Sequence, residues 1–222
     1  MAASPTVTAD AAEDFVRERA AFVATTVALG PDAPTLCGSW TGEDLAAHVV
    51  SGERLAGVVT YVGRRMVVRG VRLNDRAGAV TDAVLRANRR KGFDWLVNRL
   101  RRPPPMLLRR PSVAVMSLAE VWIHHEDLRR ANGLGRRPDE PALVPCVDWA
   151  LRYHRALLRD VGLRVTLDGE EGTRCAGPQH RSVTVGGPAG EVLLWLAGRR
   201  EVAGVEVDGD SDGLASVHRL RI

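Results

Sequence analysis

The sequence predicts a protein in two parts, an all-α antiparallel four-helix bundle over residues 1–160 and a small α/β domain of α+β type over residues 161–222. Apolar residues recur at helical spacing as far as about Asp160, whereas beyond Gly162 they alternate with polar ones, the period of a half-buried strand. A third observation points to function. Three metal-capable side chains, His48, Glu120 and His124, fall in the apolar stripes of two of the predicted helices.

The first helix is expected from about Asp10 to Leu29, on a stripe of Ala11, Phe15, Phe22, Thr26 and Leu29 that Glu18 and Arg19 interrupt. Gly30-Pro31 stops it. A loop rich in turn residues leads to Thr41-Gly-Glu-Asp44, a capping-box pattern that fixes the register of the second helix. That helix is expected to reach about Tyr61, with His48 on the same face as Leu45, Gly52, Leu55, Val59 and Val62; Arg64 to Val71 prolongs it or forms a connector. The third runs from Gly78 to Arg101 on Val80, Val84, Leu85, Phe93, Leu96 and Leu100, weakened at Gly92 and ended by Pro103-Pro104-Pro105.

The fourth helix is expected from Val113 to Asn132. Val113, Met116, Ile123, Leu128 and Ala131 fall around the same direction as Glu120 and His124, while Trp122, Glu126, Arg129 and Arg130 point largely the other way. A fifth, from Pro141 to Asp160, carries Leu143, Val147, Ala150, Leu151 and His154, and packs on the bundle or bridges to the C-terminal module. In that module, strands are expected at Leu163–Leu167, Thr173–Cys175, Arg181–Val185 and Val202–Val207, a short helix at Ala189–Gly198, and a last helix from Asp210 to about His218.

Composition excludes several classes. A hydrophobic fraction of 45% with 26% charged residues is that of an ordinary soluble domain, with no apolar run long enough for a membrane span. The N-terminus has neither the basic nor the apolar region of an export signal, so a cytoplasmic location is expected. Cys37, Cys146 and Cys175 are widely spaced and read as buried or incidental thiols. The net charge of +4 raises nucleic acid as a partner. However, the arginines are scattered among acids, and the clusters around Pro103-Pro104-Pro105 lack aromatics on which bases would stack, so no nucleic-acid role is expected.

A carboxylate and an imidazole aimed into an apolar core carry a heavy desolvation cost unless paired, and a metal ion pairs with both. A lone inward histidine is ordinarily a satisfied core residue, and Glu120 with His124 alone would make an ordinary one-turn pair. Three such residues on two apolar faces point instead to a His48/Glu120/His124 site in a helix bundle. His125, about 100° round from His124, takes a flanking place that faces the ligand pocket, and Asp127 orients a ligand or lies on the surface.

The segments Cys37-Gly-Ser-Trp40-Thr41-Gly-Glu-Asp44-Leu45-Ala-Ala-His48 and Glu120-Val-Trp-Ile-His124-His125-Glu-Asp127-Leu128 resemble the mycothiol-dependent maleylpyruvate isomerase family. The resemblance implies a DinB-like four-helix metal-binding domain followed by a smaller α/β domain. Carried over by position, it implies His48, Glu120 and His124 as ligands of a divalent metal, with mycothiol as thiol cosubstrate. It also implies a basic residue of the C-terminal domain for substrate carboxylates, with Arg174, Arg181 and Arg199 of the right type.

Three protein ligands leave a coordination position open, as in catalytic zinc sites. A thiol entering that position is held as the thiolate, a nucleophile at neutral pH. Its addition to a cis-enone frees rotation about the former double bond, and its expulsion leaves the trans isomer; on an epoxide or alkyl halide it gives a stable conjugate. The expected function is therefore metal- and thiol-dependent isomerisation or S-transfer on a small electrophile, by a monomer or homodimer. The alternatives are a non-catalytic metal- or ligand-binding module and a metal-dependent hydrolase. Iron is compatible with two histidines and a carboxylate, but the bundle and the family likeness favour Zn²⁺.

Overall fold

A computed structural model describes residues 5–53, 76–137, 141–155 and 157–218. Its described residues fall into two compact units that divide between Arg137 and Pro138. The first is helical: α1 (Pro5–Leu29), α2 (Gly42–Gly52), α3 (Arg76–Arg89), α4 (Phe93–Arg101) and α5 (Pro111–Ala131), with a 3₁₀ turn at Met106–Arg109. The second contains a 3₁₀ turn (Pro141–Leu143), α6 (Val144–Arg155), β1 (Gly162–Leu167), β2 (Arg174–Ala176), β3 (Ser182–Gly187), α7 (Ala189–Leu196), β4 (Glu206–Asp208) and α8 (Ser211–His218). The chain is thus helical with a small mixed-sheet unit, and no helix among the described residues is long and apolar enough to cross a membrane.

In the helical unit α1 packs most extensively against α5, burying Phe15, Phe22 and Thr26 as the stripe requires. The two charges that interrupt the stripe are buried with partners. Arg19 pairs with Glu53 at the C-cap of α2, and its guanidinium also donates to the Leu100 and Arg102 carbonyls. Glu18 accepts from Arg137 at 2.7 and 2.9 Å. The third predicted helix is two, because Gly92 adopts φ +81° and caps α4. A side chain there would be strained. The continuation of α2 toward Tyr61, with Leu55, Val59 and Val62, lies outside the described residues.

The capping box forms as expected. Thr41 accepts from the Asp44 amide, and Asp44 Oδ2 accepts from the Thr41 amide at 3.0 Å. Gly42 is needed for another reason: a Cβ there would lie 2.7 Å from the Gly30 carbonyl oxygen. This close approach folds residues 30–41 tightly against the start of α2, with the Gly42 amide bonded to Ala33 O at 2.8 Å.

The outward face expected for α5 is not outward. Trp122 is 3% and Glu126 0% exposed. Glu126 is tolerated because Arg129, Arg130 and Arg137 all donate to it, at 3.2, 2.7 and 2.9 Å. Helical period alone places Glu126 away from the stripe; one of its three pairing arginines, Arg137, lies beyond the helix.

The second unit carries a four-stranded sheet of order β2-β1-β3-β4, in which β1 and β3 are parallel and the outer pairs antiparallel. Leu163, Val165, Leu167, Val183 and Val185 are buried, as is every residue of α7. Helix α6 packs on α7 and β2, and its buried His154 bonds the Leu196 carbonyl at 2.9 Å. The compact division therefore precedes α6, whereas the change of sequence period falls after it, near residue 160. A helix that covers a sheet unit has the same period as one in a bundle.

Candidate metal centre

Two helices and one loop build the site. The capping box sets the rotation of α2 and so the direction of His48, while α5 carries Glu120 and His124 one turn apart. The two imidazoles meet edge to face, centroids 4.7 Å apart. One ligand atom each from His48, Glu120 and His124 lies within 4.8 Å of the others. The three expected residues thus come together.

They are half-buried rather than sealed in the core: the Glu120 side chain is 29% and that of His124 13% exposed. The loop between α1 and α2 packs against the two histidines of the cluster. Its Trp40 packs on His48, ring centroids 5.1 Å apart. Loop and α5 are tied by the bond from Leu36 N to Asp127 O at 3.1 Å and by Asn132 Nδ2, which donates to Pro34 O at 2.9 Å.

The neighbours on α5 separate. Asp127, with no exposed surface, lies 3.0 Å from His124 Nδ1 through Oδ2. His125 turns away from the cluster, contrary to the pocket-facing place expected for it. Its Nδ1 lies 2.6 Å from Glu18 Oε1 and its Nε2 2.8 Å from Thr25 Oγ1, both on α1. Burial raises the pKa of Glu18, but the hydrogen bonds from His125 and Arg137 and their charges outweigh it and hold the carboxyl below its ordinary range. His125 therefore serves the joint between α1 and α5.

Sequence reasoning missed Cys37. Its thiol donates to Asp127 Oδ2 at 3.0 Å and lies 3.9 Å from His124 Nδ1. Cys37, His124 and Asp127 form a second group whose donor atoms lie within 4.8 Å of one another. A loop cysteine has no period to announce it. The available signal was its place three residues before Trp40, in the segment that carries the family resemblance.

Of the C-terminal arginines, Arg174 bonds Asp148 at 2.9 Å and Glu170 at 3.2 Å, and Arg181 bonds Asp210 at 2.7 Å and Asp212 at 3.0 Å. The hydrogen bonds that Arg181 donates to Asp210 and Asp212 hold it above its ordinary pKa. Arg199 donates to Ala197 O at 2.7 Å.

Fold and site together define a helical unit bearing a half-buried candidate metal centre of two histidines and one carboxylate, linked to a small mixed-sheet unit. The chain belongs to the family of the mycothiol maleylpyruvate isomerase N-terminal domain, whose model matches residues 12–129. Its fold is that of a solved mycothiol-dependent maleylpyruvate isomerase, with a TM-score of 0.56 and 16% identity over 94% of this chain and 91% of that one. A histidine-to-alanine mutant of that enzyme matches with the same TM-score of 0.56. No functionally curated protein matches the chain in sequence.

Proposed function

We propose that the protein is a mycothiol-dependent isomerase or S-transferase acting on a small electrophilic substrate, with a divalent cation, Zn²⁺, held by His48, Glu120 and His124. The observation that carries this reading is the convergence of those three donors, within 4.8 Å of one another, at a partly exposed position. Two imidazoles and one carboxylate suit a zinc-class cation and leave a coordination position for a ligand from solution. When bound there, the cation supplies Lewis acidity that favours the thiolate form of an incoming thiol.

The chain's own residues do the rest. Glu120, more exposed than His124, borders the open side through which thiol and substrate enter. Trp40 covers His48 and narrows the water-exposed perimeter. Family membership supports mycothiol as the thiol and a cis-unsaturated keto acid such as maleylpyruvate as the substrate type. We further propose that α1, α2, α3 with α4, and α5 form the DinB-like four-helix arrangement, and that the protein acts in the cytoplasm.

The test is elemental analysis of the purified protein with a mycothiol titration and turnover of maleylpyruvate with and without thiol. One equivalent of zinc and strictly thiol-dependent turnover is the expected result. Cleavage of the substrate by water without thiol would make the protein a hydrolase, and bound metal without any turnover would leave a binding module.

A further inference from the structure

Cys37 and Asp127 have no role in the proposed reaction, yet both lie against a proposed ligand. Two groups converge on one oxygen of a carboxylate with no exposed surface: His124 Nδ1 and the Cys37 thiol each lie 3.0 Å from Asp127 Oδ2. The thiol's position does not depend on a metal. The Cys37 amide donates to Thr35 Oγ1 at 3.1 Å, Thr35 Oγ1 donates to Trp40 O at 2.8 Å, and the neighbouring Leu36 amide bonds the Asp127 carbonyl at 3.1 Å. The loop is thus pinned to α5 at the residue whose side chain the thiol meets.

A neutral imidazole carries one proton, and a carboxylate beside one nitrogen draws the proton there. With Asp127 at Nδ1, the lone pair of His124 is left on Nε2, the atom 3.9 Å from Glu120 Oε2. We infer that Asp127 is a positioning residue that holds His124 in the Nδ1–H tautomer, and that Cys37 is the second donor that keeps Asp127 in place. This rests on His48, Glu120 and His124 being the metal ligands. A thiol suits the task because it is a weak donor. It anchors the carboxylate while leaving most of its accepting power to His124, and carboxylate support of this kind raises the basicity of a ligating histidine.

The test uses the full chain. The protonated nitrogen of His124 is read by ¹⁵N NMR after chelator treatment, and zinc affinity is read by competition with a chromophoric chelator. These are measured for the parent and for Asp127→Asn, Asp127→Ala, Cys37→Ser and Cys37→Ala. The parent should carry the His124 proton on Nδ1. Asp127→Ala should move it to Nε2 and weaken zinc binding by about 10–100-fold, the usual effect of losing such a partner. The near-isosteric Asp127→Asn should weaken zinc binding in the same direction with an unchanged circular dichroism spectrum. Cys37→Ala should weaken it less, and Cys37→Ser, which keeps a donor, should restore it.

Parent-like tautomer and affinity in folded Asp127→Ala or Asp127→Asn would overturn the proposal, as would parent-like affinity in Cys37→Ala. A sulfur-to-metal charge-transfer band in the cobalt-loaded parent would also overturn it, by making Cys37 a ligand. Failure of the parent to bind zinc would instead overturn the ligand assignment, and the tautomer measurement would still decide the role of Asp127.

Discussion

Across one turn of α5, His124 Nε2 lies 3.9 Å from Glu120 Oε2, beyond direct hydrogen-bonding distance. In a tetrahedral zinc site two atoms each about 2 Å from the ion lie about 3.3 Å apart, so this pair shares one after closing by about half an ångström. With His48 beside them, ring centroid 4.7 Å from that of His124, the three donors lie within 4.8 Å of one another. On this geometry His48→Ala and Glu120→Ala should each weaken zinc binding by more than about 100-fold, exceeding the usual effect of losing a supporting partner. Both variants should keep the parent's helical circular dichroism. Chelator competition is the check, and full metal occupancy in either variant refutes its ligand role.

The opposite face of α5 predicts a different phenotype. Glu126 is fully buried and accepts from three arginines, so its loss leaves charge uncompensated in the interior. Glu126→Ala should cost about 3–5 kcal/mol, the usual penalty for breaking a buried pair. Zinc stoichiometry should not change at temperatures where the variant is folded. Urea unfolding together with metal analysis separates the two effects, and a cost under about 1 kcal/mol would mean that the network behaves like surface pairs.

These two faces mark where the sequence was legible. His48, Glu120 and His124 could be read because helical period is local: a capping box sets one rotation and one-turn spacing the other. The strands at Leu163 and Arg181 could be read because alternation is local too, and β1 and β3 form there. Glu126, His125 and Cys37 could not, since each is decided by a distant partner: Arg137, Glu18 and Asp127. Gly92 was recognised as a weakness, but only its positive φ separates one helix from two.

The division between Arg137 and Pro138 predicts how truncation behaves. A chain ending at Arg137 should keep zinc affinity within about threefold of the parent, less than the effect of losing a ligand or its supporting partner, because it retains every proposed ligand and the Glu18 and Glu126 partner Arg137. A chain ending at Gly162 should aggregate, since α6 would then expose Cys146, Val147, Ala150 and Leu151 without α7 and β2. Neither should support mycothiol-dependent turnover. Light scattering, zinc titration and a turnover assay test this, and an active chain ending at Arg137 would make the second unit dispensable.

The second unit should be sensitive to acid through His154. Burial, assisted by the Arg200 charge and opposed by the Leu196 carbonyl, lowers this imidazole from 6.5 to about 4. Its Nε2 donates to that carbonyl at 2.9 Å, so the folded protein holds the neutral ring. The sign is set by proton uptake. Above pH 6.5 the group is neutral in both states and adds no pH dependence; between 6.5 and about 4 only the unfolded chain takes up the proton, so stability falls as pH falls. Below about 4 both states are protonated and this contribution levels off, after a loss of about 3 kcal/mol. His154→Gln keeps a donor for Leu196 but cannot titrate. The difference in urea midpoint between parent and variant should therefore change across that interval and be constant above it. A parallel pair of pH profiles would show that His154 titrates in the folded protein as it does in the unfolded chain.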